Sequence, residues 1–567
     1  MSRIRKKIKL PRTVQVLWGG FNAGVVLGII DGLMVIFFGL AQFDRTGEII
    51  GFLVWDAIGL GILGMITTAI VFLGFGLLLR SHPRWLSVLN FLLLIAVAFT
   101  LSYLNLGWSF KNARGTPPPD PYNIVLVTLD TLRTDSTGFS GHPFVRTPNL
   151  DRLARKGRQY LNAVCPVPMT TPSHASMLTS TIPAVHGATE NRYRLDETNE
   201  TMTRILRNNG YRTAAFVSCF PLDRRFGLNR DFMLYHDRFA VPGDLRQASW
   251  YLAWRNFRAG NMMERNCRYT NSLALPWIRR YTGDATPFFL WIHYFDPHSP
   301  YAPPDHEQAY YSGRVIPSFD FYPDEAAQEN ARRAVQFTDK SPEPGRPEEL
   351  YLGEVSETDR AFGDILRQLA RSGVMERTVL AALADHGESF GEHGYFYTHG
   401  EDIYEPALSI PLVLYSGYPY VEPGLDTRLA CASDIAATLL PAVGLPPGTK
   451  MEGFNLLDTS HFRQMALIEN YGLIMTTNAT KQRGLRTAHQ KMILHTETDH
   501  QELFNLEQDP SEQVNLVDEY PGLSREFSVL IRDGFAQSES RSHLSHEDLS
   551  PETLEKLRAL GYVVPDI

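Results

Sequence analysis

A doubly wound α/β fold preceded by three transmembrane α-helices is the architecture this 567-residue sequence predicts. Three observations lead there. Residues 14–107 are almost free of charge, two continuous apolar runs at 123–129 and 378–384 each stop at an aspartate, and helical patterns lie between those runs. Such runs suit strands buried on both faces of a parallel sheet. Strands alternating with helices suit a doubly wound sheet.

The N-terminal part contains apolar stretches at about 14–41, 49–79 and 85–107, each longer than the ~20 residues that cross a bilayer as a helix. The first is too long for a signal-peptide core and has no convincing cleavage site after it, so it is expected to remain. Asp31 and Asp56 lie inside these stretches and should face another helix or the interface, because a carboxylate in lipid is costly. Arg3, Arg5, Lys6, Lys7, Lys9 and Arg12 precede the first stretch, and Arg80 and Arg84 separate the second from the third. The intervening loop at 42–48 has only Arg45. The positive-inside rule then places the N-terminus in the cytoplasm and residue 111 onward outside it. The expected organisation is a multi-pass inner-membrane domain at 1–110, a Pro-rich linker at 111–122, a periplasmic domain at 123–459 and a C-terminal part at 460–567. A net charge of −8 with no basic face in the soluble part excludes a general nucleic-acid binder. Cys165, Cys219, Cys267 and Cys431 form no CxxC pair, and spacing alone does not reveal any disulfide.

Polar residues just past the carboxyl ends of strands in such sheets gather at the ligand crevice. Asp130 closes the first apolar run, and Asp385-His386-Gly387 follows the second. An aspartate there is commonly a turn or cap; two of them, one followed by His-Gly, point to a metal site. The segment Pro168–Thr179 reads as a loop entering a helix, with Pro172 near the first helical position. A hydroxyl there meets unpaired N–H groups and the positive end of the helix dipole, which favours an anionic ester. Thr170 or Thr171 could equally serve as the cap.

Six blocks in order carry a resemblance to the sulfatase family, within the alkaline-phosphatase superfamily. They are Asp130–Asp135 with Thr147–Asp151, Thr170–Thr179 with Pro183–Gly187, Trp291–Tyr301, Asp385–Gly394, Glu502–Pro510 and Leu557–Tyr562. The resemblance implies one divalent cation (manganese, zinc, magnesium or calcium) held by Asp130, Asp385, His386 and the oxygen of Thr170. Asp296 is the residue considered for a second metal, which is not expected. Thr131 stands where many members carry another ligand. The resemblance further implies a substrate contact or proton donor at His298 and a polar contact at His399. It also implies a supporting role for His174, which stands where sulfatases carry Arg. His186 and His393 read more readily as structural.

The nucleophile departs from the family. Sulfatases use Cys or Ser, oxidised to formylglycine, in Cys-x-Pro-Ser-Arg; this chain has Thr170-Thr-Pro-Ser-His174, so no formylglycine is expected, and Cys165 lies at the wrong offset. A sulfated threonine lacks the elimination route of the formylglycine diol, whereas a phosphothreonine is resolved by a second in-line attack. The arrangement is also similar to nucleotide pyrophosphatase/phosphodiesterases, and, behind membrane helices, to lipoteichoic acid synthases and phosphoethanolamine transferases. Phosphoester chemistry at Thr170 is therefore expected slightly ahead of sulfate-ester hydrolysis, with an inactive binding or sensor module as the alternative of another class. Expected substrates are an ester-containing small molecule, a lipid head group or an envelope glycan. Residues 302–350 read as a lid or plain surface. The resemblance implies that 460–567 is the smaller C-terminal subdomain of the sulfatase-like α/β fold, with short strands expected at 492–495 and 502–506 and a last helix at 551–560.

Overall fold

The computed structural model describes residues 115–118, 121–239, 264–283, 285–314, 347–417, 421–471 and 481–542. The three predicted spans and the last predicted helix lie outside the described residues. Among the described residues, no helix is long and apolar enough to cross a membrane.

Strands are β1 (Asn123–Leu129), β2 (Arg158–Val164), β3 (Arg212–Phe216), β4 (Leu234–His236), β5 (Phe288–Tyr294), β6 (Thr378–Ala384), the short hairpin β7 (Ser389–Phe390) and β8 (Phe396–Thr398), then β9 (Leu412–Ser416) and β10 (Gly424–Cys431). Among the described residues, eight of them form one sheet in the order β10-β2-β9-β6-β1-β5-β3-β4. The three central strands β6, β1 and β5 run parallel, and every residue in them is buried. This is what their uninterrupted apolar character requires of strands covered on both faces. Leu129 pairs with both Tyr294 and Ala384. That register brings Asp130 and Asp385, the next residues, to the same level.

The expectation of a parallel, doubly wound sheet needs one correction. β9 runs antiparallel to both β2 and β6, so the sheet is mixed. Residues 385–411 stay at the carboxyl end of β6, building the β7–β8 hairpin, and the chain then returns directly. Antiparallel neighbours need no crossover helix.

Six helices matter below: α1 (Pro148–Lys156), α2 (Thr170–Thr179), α3 (Cys267–Tyr281), α4 (Asp305–Tyr311), α5 (Pro347–Arg371) and α6 (Pro521–Glu539). α1 and α5 are among the helices expected between the two apolar runs. Thr147 precedes α1 without a side-chain cap. Instead Asp359 of α5 accepts the N–H groups of Asn149 and Leu150 at 3.1 and 2.8 Å, satisfying helix-start donors from a remote element. Within 302–350, read as a lid or surface, residues 305–311 form α4. Its Glu307 and Tyr311 are buried, and the Tyr311 hydroxyl lies 2.6 Å from Ser356 Oγ on α5.

Four further strands, β11 (Ala466–Asn470), β12 (Gln482–Arg486), β13 (Gln490–His495) and β14 (Gln501–Asn505), form an antiparallel meander in sequence order. α6 packs on it through Phe527, Ile531 and Phe535, against Leu485, Met492, Leu494 and Leu503. The meander meets the segment after β6 through charge. Fully buried Lys491 lies 2.6 Å from Glu512 and 3.3 Å from Glu405, and Arg486 also pairs with Glu405.

Gly387 follows the Asp-His pair because backbone packs against it. A methyl group there would sit 2.0 Å from the Pro406 carbonyl oxygen, and its N–H donates to the Ala407 carbonyl at 2.8 Å. Gly387→Ala is expected to destabilise the fold by about 3 kcal/mol, the upper range for overpacking against a rigid neighbour. Urea unfolding checks this, and an unchanged midpoint would contradict the packing.

Candidate active site

The nucleophile candidate stands at the start of a helix without capping it. Met169, in extended backbone, is the N-cap of α2, and Thr170 is the first helical residue. Pro172 therefore lies two residues further in than the sequence suggests. The Thr171 hydroxyl donates to the Pro221 carbonyl at 2.6 Å, and the Thr171 N–H donates to Asn191 Oδ1 at 2.8 Å. Neither threonine side chain serves as the cap, so the capping alternative falls. Thr170 Oγ1 instead faces His386 Nε2 at 3.5 Å, fully buried.

Opposite it, the two strand ends meet as the register requires. His386 Nε2 lies 3.6 Å from Asp130 Oδ1 and 3.6 Å from Asp385 Oδ2, and none of the three side chains is exposed. Ligand atoms of Asp130, Asp385 and His386 lie within 4.8 Å of one another. Asp130 Oδ1 and Asp385 Oδ2 accept no hydrogen bond among the described residues. Burial, then the neighbouring Asp385 and Glu388 carboxylates, holds the Asp130 carboxyl well above its usual range. Buried polar atoms left without partners call for an ion or water. His386 Nδ1–H donates to the Gly387 carbonyl at 2.9 Å, which leaves Nε2 with its lone pair, the orientation of a metal-binding histidine. Two carboxylates, an imidazole nitrogen and a hydroxyl therefore fit one divalent cation.

A chain of donors behind the nucleophile sets the state of His174. The Trp291 indole only donates, and it donates to Thr128 Oγ1 at 3.0 Å. The Thr128 hydroxyl then donates to His174 Nε2 at 2.9 Å, and His174 Nδ1–H donates to the Thr170 carbonyl at 2.7 Å. Burial lowers the His174 pKa, in keeping with this neutral form. His174 thus supports Thr170 through its backbone.

The other predicted histidines sit beside the cluster. The His399 ring lies 4.5 Å from that of His386 and 4.9 Å from that of His298. His399 Nδ1 is 3.5 Å from Glu388 Oε1, and the Tyr301 hydroxyl donates to the other oxygen of Glu388. Burial pushes His298 down to about 3 and His399 well below the ordinary range. Burial thereby keeps both rings neutral, and His298 Nδ1–H donates to the Ser299 carbonyl.

Thr131 adopts φ of 52°, unfavourable for a β-branched residue. Its N–H donates to Asp385 Oδ1 at 3.3 Å, and its carbonyl accepts from the Tyr351 hydroxyl at 2.9 Å. Asp296 is not in the metal cluster: it accepts the Cys267 N–H at 2.6 Å, at the start of α3. Cys165 is buried against the Ala407 carbonyl, outside the cluster. His393 stacks on Tyr404 with ring centres 3.6 Å apart.

Sequence reading missed four residues. His293 Nε2 lies 3.2 Å from Asp130 Oδ2, Cys219 Sγ lies 4.0 Å from the same oxygen, and Glu388 backs His399. The fourth, Asn191, is 1% exposed; its oxygen is committed to the Thr171 N–H, and its amide nitrogen has no partner among the described residues. His293 had a signal, a lone imidazole within an apolar strand. Asn191 had none.

A buried carboxylate–imidazole cluster facing a helix-start hydroxyl, at the carboxyl ends of central strands, has the donor set that metal-assisted ester hydrolysis requires. The family description "Sulfatase" matches residues 122–445, and "N-sulphoglucosamine sulphohydrolase, C-terminal" matches residues 391–526. The chain belongs to the sulfatase family and is an ester hydrolase of the alkaline-phosphatase superfamily. It is similar to an arylsulfatase of Clostridium perfringens, 23% identical over 70% of this chain and 90% of that protein. Among solved structures, one in complex with its substrate D-glucosamine-2-N,6-O-disulfate aligns with a TM-score of 0.60 at 19% identity, covering 75% of this chain and all of that one. The phosphonate monoester hydrolase of Agrobacterium radiobacter aligns with a TM-score of 0.58 at 20% identity, covering 74% and 96%.

His186 belongs to the scaffold. Its Nδ1 accepts the Ala188 N–H at 3.2 Å, its Nε2 lies 3.0 Å from Ser176 Oγ on α2, and burial lowers its pKa from 6.5 to about 3. The unfolded chain takes up this proton below about pH 6.5 and the folded chain only near 3, so its contribution is intact above pH 6.5 and lost as pH falls through that window. His186→Gln is expected to cost about 1 kcal/mol at pH 7 and to flatten the acid loss. Urea midpoints at neutral and acid pH check this; an acid loss equal to that of the native chain would refute it.

Proposed function

We propose that this chain is a metal-dependent hydrolase or transferase of phosphoesters that uses Thr170 as nucleophile. The supporting observation is the placement of Thr170 Oγ1: buried, uncommitted to a cap, and 3.5 Å from His386 beside the carboxylate oxygens that lack hydrogen-bond partners. Asp130, Asp385, His386 and Thr170 would hold one divalent cation. When bound, such an ion lowers the pKa of a coordinated hydroxyl and draws charge from ester oxygens.

In the reaction, Thr170 Oγ forms a bond to phosphorus as the bond to the leaving oxygen breaks. The Thr170 N–H at the start of α2 and the unpartnered amide of Asn191 meet the negative charge that spreads over the remaining oxygens. The Thr170 hydroxyl gives up its proton as the bond forms; His298 or His399, its proton affinity raised by the bound ester, takes that proton up and passes it to the leaving oxygen. Water or an acceptor alcohol then displaces the Thr170 oxygen in a second in-line step. His174 keeps the Thr170 backbone in place throughout.

The reading favours phosphorus over sulfur because threonine cannot become formylglycine. Sulfate-ester hydrolysis is the second reading, favoured by the family and by the arylsulfatase relative. An inactive binding module is disfavoured by the intact Asp130, Thr170, Asp385 and His386 cluster. In this proposal residues 123–459 form the catalytic part, 460–567 its C-terminal subdomain, and the apolar stretches within 1–110 a membrane anchor. A periplasmic site near the membrane surface would suit lipid head groups or envelope glycans.

Purified protein supplied with manganese or zinc should turn over a nitrophenyl phosphodiester or monoester faster than the matching sulfate, and Thr170→Ala should abolish that turnover. Trapped enzyme should carry an adduct of about 80 Da on Thr170, whose accurate mass tells phosphate from sulfate. Faster sulfate turnover with a sulfated Thr170 would replace the first reading by the second. Asn191→Ala should lower kcat about 100-fold with the fold intact; a change in KM alone would remove Asn191 from the reaction.

A further inference from the structure

The hairpin β13–β14 carries a second set of ligand-type side chains, on the C-terminal meander. Leu494 pairs with Gln501 and Ile493 with Glu502. Antiparallel register therefore sets His495 opposite His500, and the His495 N–H donates to the His500 carbonyl at 2.9 Å. Directly opposed residues share a face, as do residues two apart on one strand. His495, His500 and Glu502 consequently project from the same face.

Their side chains converge. His495 Nε2 lies 3.2 Å from one oxygen of Glu502 and His500 Nε2 3.7 Å from the other, with the two rings 5.2 Å apart. One ligand atom from each residue lies within 4.8 Å of the others. The set is half-sheltered: the His495 and Glu502 side chains are 16% exposed and that of His500 58%. Glu502 is held from below by the Tyr404 hydroxyl at 2.9 Å, and Tyr404 stacks on His393 in the segment that follows Asp385-His386.

We propose that His495, His500 and Glu502 form a peripheral site for a borderline divalent cation, of the zinc, nickel or copper(II) type. Two imidazoles with one carboxylate match these ions and not magnesium or calcium, which prefer oxygen. Water from the exposed side completes the coordination. The cation bridges the two strands of the hairpin and, through Glu502 and Tyr404, braces the meander against the catalytic segment.

The test is zinc stoichiometry of the chelator-stripped full chain, by native mass spectrometry and calorimetry, with copper(II) electron paramagnetic resonance as a second readout. The native chain should hold a zinc equivalent that His500→Ala and His495→Ala each weaken at least tenfold. Copper(II) at this site should show coupling to two nitrogens, reduced to one in either variant. Asp385→Asn should leave this equivalent in place while losing the one at the catalytic centre, so the two sites fail separately. If both histidine variants bind as much zinc as the native chain, with unchanged copper spectra, the triad is an imidazole–carboxylate hydrogen-bond set and the proposal is overturned.

Discussion

The constraint on which the rest of this structure depends is the register of β1 against β6. Leu129 opposite Ala384 sets two carboxylates side by side at zero exposure, with His386 turned in between them. Like charges so placed repel, and burial adds to the penalty. The chain tolerates this because every element around the cluster is committed elsewhere. β5 brings His293 to 3.2 Å from Asp130, α2 brings the hydroxyl, and Glu388 lies 3.5 Å from His399. A cation is the natural complement of such a concentration of negative charge.

The second layer of the design is directional. Donor-only groups such as the indole of Trp291 and the backbone N–H of Ala188 decide which nitrogen of a buried imidazole carries the proton. Burial then keeps those rings neutral. His174, His186 and His298 share this chemistry while serving different ends: one fixes the Thr170 backbone, one ties α2 to the segment after it, and one packs against His399.

Much of this was legible in the sequence, for local reasons. Asp130 and Asp385 announced themselves because apolar runs ended on them, and Thr170 because a Pro-containing loop led into a helix. The short strands expected at 492–495 and 502–506 from the resemblance form at 490–495 and 501–505. What escaped was decided by distant parts of the chain. The antiparallel direction of β9 depends on where residues 385–411 travel, and no local pattern encodes it. Asn191 and Glu388 look like ordinary polar loop residues until tertiary structure turns one toward Thr171 and the other toward His399. The cap was misread for the same reason: Thr171 satisfies its hydroxyl on Pro221, about fifty residues away, instead of on its own helix.

The ammonium of Lys491, with no exposure at all, is shared between Glu512 and Glu405, one within the C-terminal part and the other beside the catalytic segment. Pulling the meander away would carry Lys491 and Arg486 off together and leave the Glu405 carboxylate without either of its cations. Partial opening at this seam is thereby suppressed, and the two sheets are coupled into one cooperative thermodynamic unit.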